Sequence, residues 1–162
     1  MKKALYPGTF DPITYGHLDI MGRAISIFDR LVVLVVSSPP KSFLFSVEQR
    51  VDMVKQTTAH WDKVSVESFD GLLVDEARRR NIHTVIRGLR AMTDFEYEFQ
   101  MALTNRSLDP NFESVFFMTN NEYSYLNSSL VKEITRLGGD VSKFVPPYVE
   151  KKLQEFYTKR RK

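Results

Sequence analysis

The chain has 162 residues, 43% of them hydrophobic and 27% charged, with a formal net charge of +3. That length fits a single domain, residues 1–162, with room for a substantial core, and the composition excludes a disordered chain. The lack of cysteine excludes disulfides, cysteine-ligated zinc and thiol catalysis, and fits a reducing, cytoplasmic setting.

Met1-Lys2-Lys3 is followed by no apolar signal stretch, so secretion is not expected. Ala4, Leu5 and Tyr6 form a short apolar strand. From Tyr6 to His17 the chain reads as a strand-to-helix turn punctuated by Pro7, Gly8 and Pro12. Gly8 suits a φ closed to other residues, or a close approach by a ligand. A helix runs from about Gly16 to Phe28, with Leu18, Ile20, Met21, Ala24 and Ile25 in its apolar pattern. Gly16 and His17 fall at its mouth, where free N–H groups and the helix dipole favour an anion. His17 there is either an exposed polar residue or a donor to a phosphate, and the dipole's positive end predicts a neutral imidazole in the free protein.

Leu31 to Val36 is continuously apolar, which marks a central parallel strand, and it is too short to cross a bilayer, so no membrane partner is expected. Residues 37–42 form a loop at the strand's C-terminal end, where open α/β sheets bind ligands. Lys41 is placed there either to meet a phosphate or as an ordinary loop lysine. Ser46 and Gln49 form a capping box for a helix to about Thr58, with Val47, Val51 and Val54 as its stripe. Val64 to Phe69 alternates as a third strand, and Leu72 to Arg80 is a third helix whose terminal arginines complement the dipole.

Thr84 to Ile86 is a strand running into Arg87-Gly88-Leu89-Arg90, where two forked cations flank a glycine that admits close approach. These arginines are either phosphate ligands or surface residues. The longest helix, Thr93 to Leu108, carries Phe95, Phe99, Ala102 and Leu103 on one face and Tyr97 and Met101 off it. It is read as packing on two neighbours, within the chain or in another subunit. Asp94 and Glu98 share a face, Glu98 as a dipole complement or a ligand group. Ser114 to Met118 is a fifth strand, and 119–127 is a polar, aromatic loop. Ser128 and Ser129 cap a helix that Gly138-Gly139 terminates. Pro146-Pro147 begins a last helix ending in the basic tail, residues 158–162, read as a solvated terminus with no nucleic-acid partner. The alternation implies a doubly wound α/β fold of Rossmann-like, dinucleotide-binding type, with a parallel five-stranded sheet and helices on both faces.

The string Thr9-Phe10-Asp11-Pro12-Ile13-Thr14-Tyr15-Gly16-His17 resembles, without gap or substitution, the T/S-F-D-P-x-T-x-G-H signature of nucleotidyltransferases related to class I aminoacyl-tRNA synthetases. Nearly the whole chain resembles bacterial phosphopantetheine adenylyltransferase, through Tyr6 to His17, Ser38-Pro39 to Lys41, Arg87 to Glu98, Glu113 to Met118 and Ser128 to Glu133. The resemblance implies transfer of AMP from ATP to 4′-phosphopantetheine, giving dephospho-coenzyme A and pyrophosphate, with Mg2+. It further implies a homohexamer of two trimers and feedback by coenzyme A. By the same resemblance Thr9 and His17 bind the reacting phosphates, with Phe10 beside the nucleotide. Lys41, Leu73 and Arg87, with Thr9, contact the acceptor. Gly88, Leu89, Arg90 and Glu98 hold ATP with Tyr123, Ser124, Tyr125, Leu126, Asn127, Ser128 and Ser129. His17 as transition-state stabiliser, Lys41 and Arg90 are the expected catalytic set, and no protein metal ligand is implied. Asn127 departs from the family's usual serine. The alternatives are a related nucleotidyltransferase with another acceptor, against which the Arg87–Glu98 stretch argues, and a nucleotide- or RNA-binding protein without turnover.

Overall fold

In the computed structural model, residues 1–37, 43–90 and 92–160 are described. Strand and helix alternate as the periodicity predicts: β1 (Lys3–Gly8), α1 (Tyr15–Ile27), β2 (Arg30–Val36), α2 (Val47–Thr58), β3 (Val64–Phe69), α3 (Leu73–Arg80), β4 (Thr84–Leu89), α4 (Met92–Leu108) and β5 (Glu113–Met118). A 3-10 turn (Asn121–Tyr123), α5 (Ser128–Arg136) and α6 (Pro147–Arg160) complete the chain. The five strands are all parallel, in the order β3-β2-β1-β4-β5. This is the Rossmann-like α/β fold expected from the sequence.

The order reverses between β1 and β4. β2 and β3 build outward on one side of β1, and β4 and β5 on the other. Such a switch point leaves a crevice at the strands' C-terminal ends. Here the β1–β4 ladder has one register pair, Leu5 with Val85. Further along, Arg87 Nη1 on β4 donates to Pro7 O on β1 at 3.1 Å, so a side chain bridges the strands where the ladder has ended.

Two apolar cores lie on the two faces of the sheet. Tyr6, Ile20, Met21, Val33, Met53, Val131 and Leu153 belong to one, and Leu5, Leu34, Val74, Ala77 and Phe112 to the other. β2 is buried along most of its length, which explains its unbroken apolar run. The capping box at α2 is present, with Gln49 N–H donating to Ser46 Oγ at 3.3 Å and Ser46 N–H to Gln49 Oε1 at 3.0 Å.

Several elements differ from the sequence reading. Pro7 and Gly8 lie inside β1 rather than in the turn. The positive φ of that region belongs to Phe10, at 48°. Gly8 is needed for space, since a Cβ there would stand 2.8 Å from Phe10 Cζ. Asn127, not a serine, caps α5: its Oδ1 accepts from Leu130 N–H at 2.8 Å. The buried face of α2 comprises Arg50, Met53 and Val54, with Val47 and Val51 only partly covered. On α4, Phe95, Tyr97, Phe99, Met101, Leu103 and Leu108 are all exposed. Among the described residues this helix packs chiefly on β4 and β5, and its exposed side chains form an apolar side.

Candidate active site

A cleft of about 580 Å3 opens at the switch point, lined from β1, the turn after it, α1, β4, α4 and the start of α5. Of the residues singled out in the sequence, Thr9, Phe10, His17, Leu73, Arg87, Gly88, Arg90, Glu98, Leu126, Asn127, Ser128 and Ser129 line it. Leu89 is buried instead, and its carbonyl accepts from Thr119 N–H and Oγ1, both at 2.9 Å. Tyr123, Ser124 and Tyr125 are not among the lining residues: Tyr123 stacks on Tyr15 at 6.3 Å and Tyr125 meets Phe144 edge-on at 6.4 Å. Lys41 lies outside the described residues.

His17 is the third residue of α1. Thr14 N–H donates to its Nδ1 at 3.0 Å, so Nδ1 carries a lone pair and the ring proton sits on Nε2. The Phe10 ring meets it edge-on at 5.1 Å. Burial, with the Arg90 charge second, lowers the His17 pKa from 6.5 to about 4. The expected neutral donor is therefore present, but for a different leading reason than the dipole. An NMR titration should find His17 neutral from pH 7 downward, with its midpoint near 4. The unfolded chain takes up the proton first, near 6.5. His17 therefore adds stability above that pH, which is lost as pH falls to about 4, at up to about 1.4 kcal/mol per pH unit. A midpoint near 6.5 in the folded protein would refute this.

Arg87 is paired bidentately with Glu98: Nε donates to Oε2 at 2.6 Å, and Nη2 to Oε1. Burial works against the Arg87 charge, but the bonds to Glu98 outweigh it and hold the guanidinium above its ordinary pKa. The sequence assigned these two residues to different substrates, whereas here they form one unit at the cleft floor. Arg90 Nε donates to Asp94 Oδ2 at 2.9 Å and its Nη1 to Leu126 O at 3.3 Å. Both ends of this cation's reach are therefore tethered beside His17.

At the α5 end, Val131 N–H begins the helical ladder on Asn127 O, and Asn127 Oδ1 takes Leu130 N–H. The amides of Ser128 and Ser129 precede that ladder and both residues line the cleft, which makes a second anion-favouring helix start. Ser128 Oγ donates to Pro12 O at 2.7 Å, fastening α5 to the turn.

The sequence reading missed the residues that hold this turn. Asp11, 2% exposed, accepts from Leu44 N–H at 2.9 Å, Phe45 N–H at 3.0 Å and Lys132 Nζ at 2.9 Å. Arg50, 1% exposed, donates from Nη1 to Thr9 O and Val36 O, both at 2.8 Å, and from Nε to Phe45 O at 3.2 Å. Asp11 and Lys132 stand inside matched segments, so their position was available as a signal. Arg50 has none, since a charged residue beside a valine stripe reads as solvent-facing.

Chemically the cleft suits two polyanions. It offers a neutral imidazole donor, two helix starts and tethered arginines. The cytidylyltransferase-like family matches residues 5–134. A phosphopantetheine adenylyltransferase from Moorella thermoacetica is 54% identical over 97% of this chain and 98% of that protein. Another, from Caldanaerobacter subterraneus subsp. tengcongensis, is 50% identical over 98% and 99%. A crystal structure of a Vibrio parahaemolyticus protein assigned as a nicotinate-nucleotide adenylyltransferase superposes with a TM-score of 0.73 at 17% identity, over 97% of this chain and 96% of that one, which speaks for the fold. With identity at this level along nearly the whole length, and the signature turn lining the cleft, the chain belongs to the phosphopantetheine adenylyltransferase family of nucleotidyltransferases.

Proposed function

We propose that the protein transfers AMP from ATP to 4′-phosphopantetheine, a step of coenzyme A biosynthesis. An oxygen of the acceptor's phosphate attacks the α-phosphorus of ATP. A new P–O bond forms, the bond to the β-phosphate breaks, and pyrophosphate leaves with the electron pair. The nucleophile needs no base, because a phosphate monoester is already charged at neutral pH, its second pKa being about 6. The reaction requires alignment of two anions and stabilisation of charge on the α-phosphate. The observation that carries this reading is His17, held neutral by burial with its proton on Nε2, in the cleft between the starts of α1 and α5.

In this reading His17 donates to an α-phosphate oxygen, and Arg90 and the Ser128 and Ser129 amides take the leaving phosphates. Thr9, Lys41 and Leu73 serve the acceptor, and the Arg87–Glu98 pair forms the floor between the substrates. Magnesium arrives with ATP. Asp11, Glu98 and Asp94 are each engaged by a cation, and among the described residues no group of three or more ligating side chains comes together. This donor set suits an ion carried on phosphate oxygens and water, where it would neutralise phosphate charge. Coenzyme A, which contains the acceptor's arm, is proposed to compete for the same cleft. A cytoplasmic setting is supported by the cysteine-free composition.

The test is pyrophosphate release with ATP and two acceptors. Turnover is expected with 4′-phosphopantetheine and little with unphosphorylated pantetheine, and equal rates would overturn the assignment. The exposed apolar side of α4 supports assembly, which we propose to be a hexamer. Light scattering should then give the mass of six 18.8 kDa chains, and a monomer in dilute solution would refute it.

A further inference from the structure

Tyr6 has no role in the mechanism above. It is 5% exposed on β1, yet it lines the cleft. Its ring meets Phe10 edge-on at 5.6 Å. Its hydroxyl end reaches β4, where a Cβ added to Gly88 would stand 4.0 Å from Tyr6 Oη and 3.4 Å from Ile20 Cδ1. Among the described residues Oη has no hydrogen-bond partner, and it is not one of the sealed polar atoms, so it opens onto the cleft. A tyrosine buried this deeply ordinarily satisfies its hydroxyl. Burial also raises its pKa well above the ordinary value, against the pull of Arg87 and Arg90, so at neutral pH the group is a phenol with a proton to donate.

The sheet decides which substrate it meets. Tyr6 packs in the core on the α1 face with Phe10 and Ile20. Leu73, proposed above for the acceptor, packs against the core on the opposite face. We propose that the Tyr6 hydroxyl is a nucleotide-binding group that donates a hydrogen bond to an oxygen of bound ATP on the His17 side of the cleft. The assignment rests on the adenylyl-transfer reading for the identity of its ligand.

Tyr6→Phe removes one oxygen and keeps the ring, so the melting temperature should stay within about 2 °C of the unaltered protein. Calorimetry with ATP and magnesium, without acceptor, should find affinity reduced roughly 3- to 10-fold, the scale of one hydrogen bond. Affinity for 4′-phosphopantetheine alone should not change. Unchanged ATP affinity would overturn the proposal, as would equal losses for both ligands. A clear fall in melting temperature would also overturn it, by revealing a structural partner for the hydroxyl. Pyrophosphate release by the unaltered protein separates this from the parent reading. If that release were missing while Tyr6→Phe still weakened ATP binding, the acceptor assignment would fall and the Tyr6 assignment would stand. Normal release with unchanged ATP affinity in the variant would do the reverse.

Discussion

Replacing His17 with alanine is expected to lower kcat by roughly 100- to 1000-fold, about 2.7–4 kcal/mol, the scale of one lost donor to a developing oxyanion. ATP affinity should change far less, because the bond from Nε2 strengthens only as charge gathers on the α-phosphate. The geometry supports this division. Nδ1 is occupied by Thr14 N–H, so the ring is held in one tautomer, and burial keeps it neutral. The substitution also removes the acceptor for Thr14 N–H, which should lower stability by about 1 kcal/mol, as for other lost helix caps. Single-turnover kinetics at saturating ATP, with ATP binding measured separately, distinguish the two effects. If affinity fell in step with rate, His17 would be a ground-state ligand instead.

The largest effect on stability should come from Arg50→Met. Methionine preserves the stem but leaves Thr9 O, Val36 O and Phe45 O without the donors that now reach them, and it removes the guanidinium lying 3.9 Å from the Phe43 ring centroid. A buried acceptor stripped of its partner is worth about 1–3 kcal/mol. Even with partial relaxation, the loss should be at least about 3 kcal/mol. Denaturant unfolding measures it, and a loss below about 1 kcal/mol would mean that water replaces the guanidinium without difficulty.

The strand–helix alternation, the buried β2 run, the α2 capping box and the mouth of α1 at Gly16 and His17 were all legible, because each rests on local sequence. Ser128 and Ser129 were read as the cap of α5, although Asn127 can also cap, because only the backbone conformation decides among three adjacent good capping residues. The reason for a neutral His17 was not legible. The dipole is local and could be read, whereas burial beneath Phe10 and the charge of Arg90 come from folding. The Arg87–Glu98 pair was hidden for a similar reason: an 11-residue separation spans the end of a strand and the second turn of a helix, and no periodicity connects the two. Arg50 was the least legible, since its three acceptors are main-chain carbonyls, which look alike at every position.

The contacts of the signature turn also bear on the order in which the molecule is built. Asp11 pairs with Lys132 across 121 residues, Ser128 reaches Pro12 across 116, and Tyr15 N–H donates to Phe144 O. Closing a loop of that length carries an entropy cost of about 4 kcal/mol, which must be met before the contacts return anything. A growing chain halted before Lys132 would already contain every strand of the sheet, which ends at Met118, but Asp11 would lack its cation. During synthesis the architecture can therefore mature ahead of its own phosphate site, and competence for nucleotide is acquired late, when the final third of the polypeptide returns to the first fifteen residues.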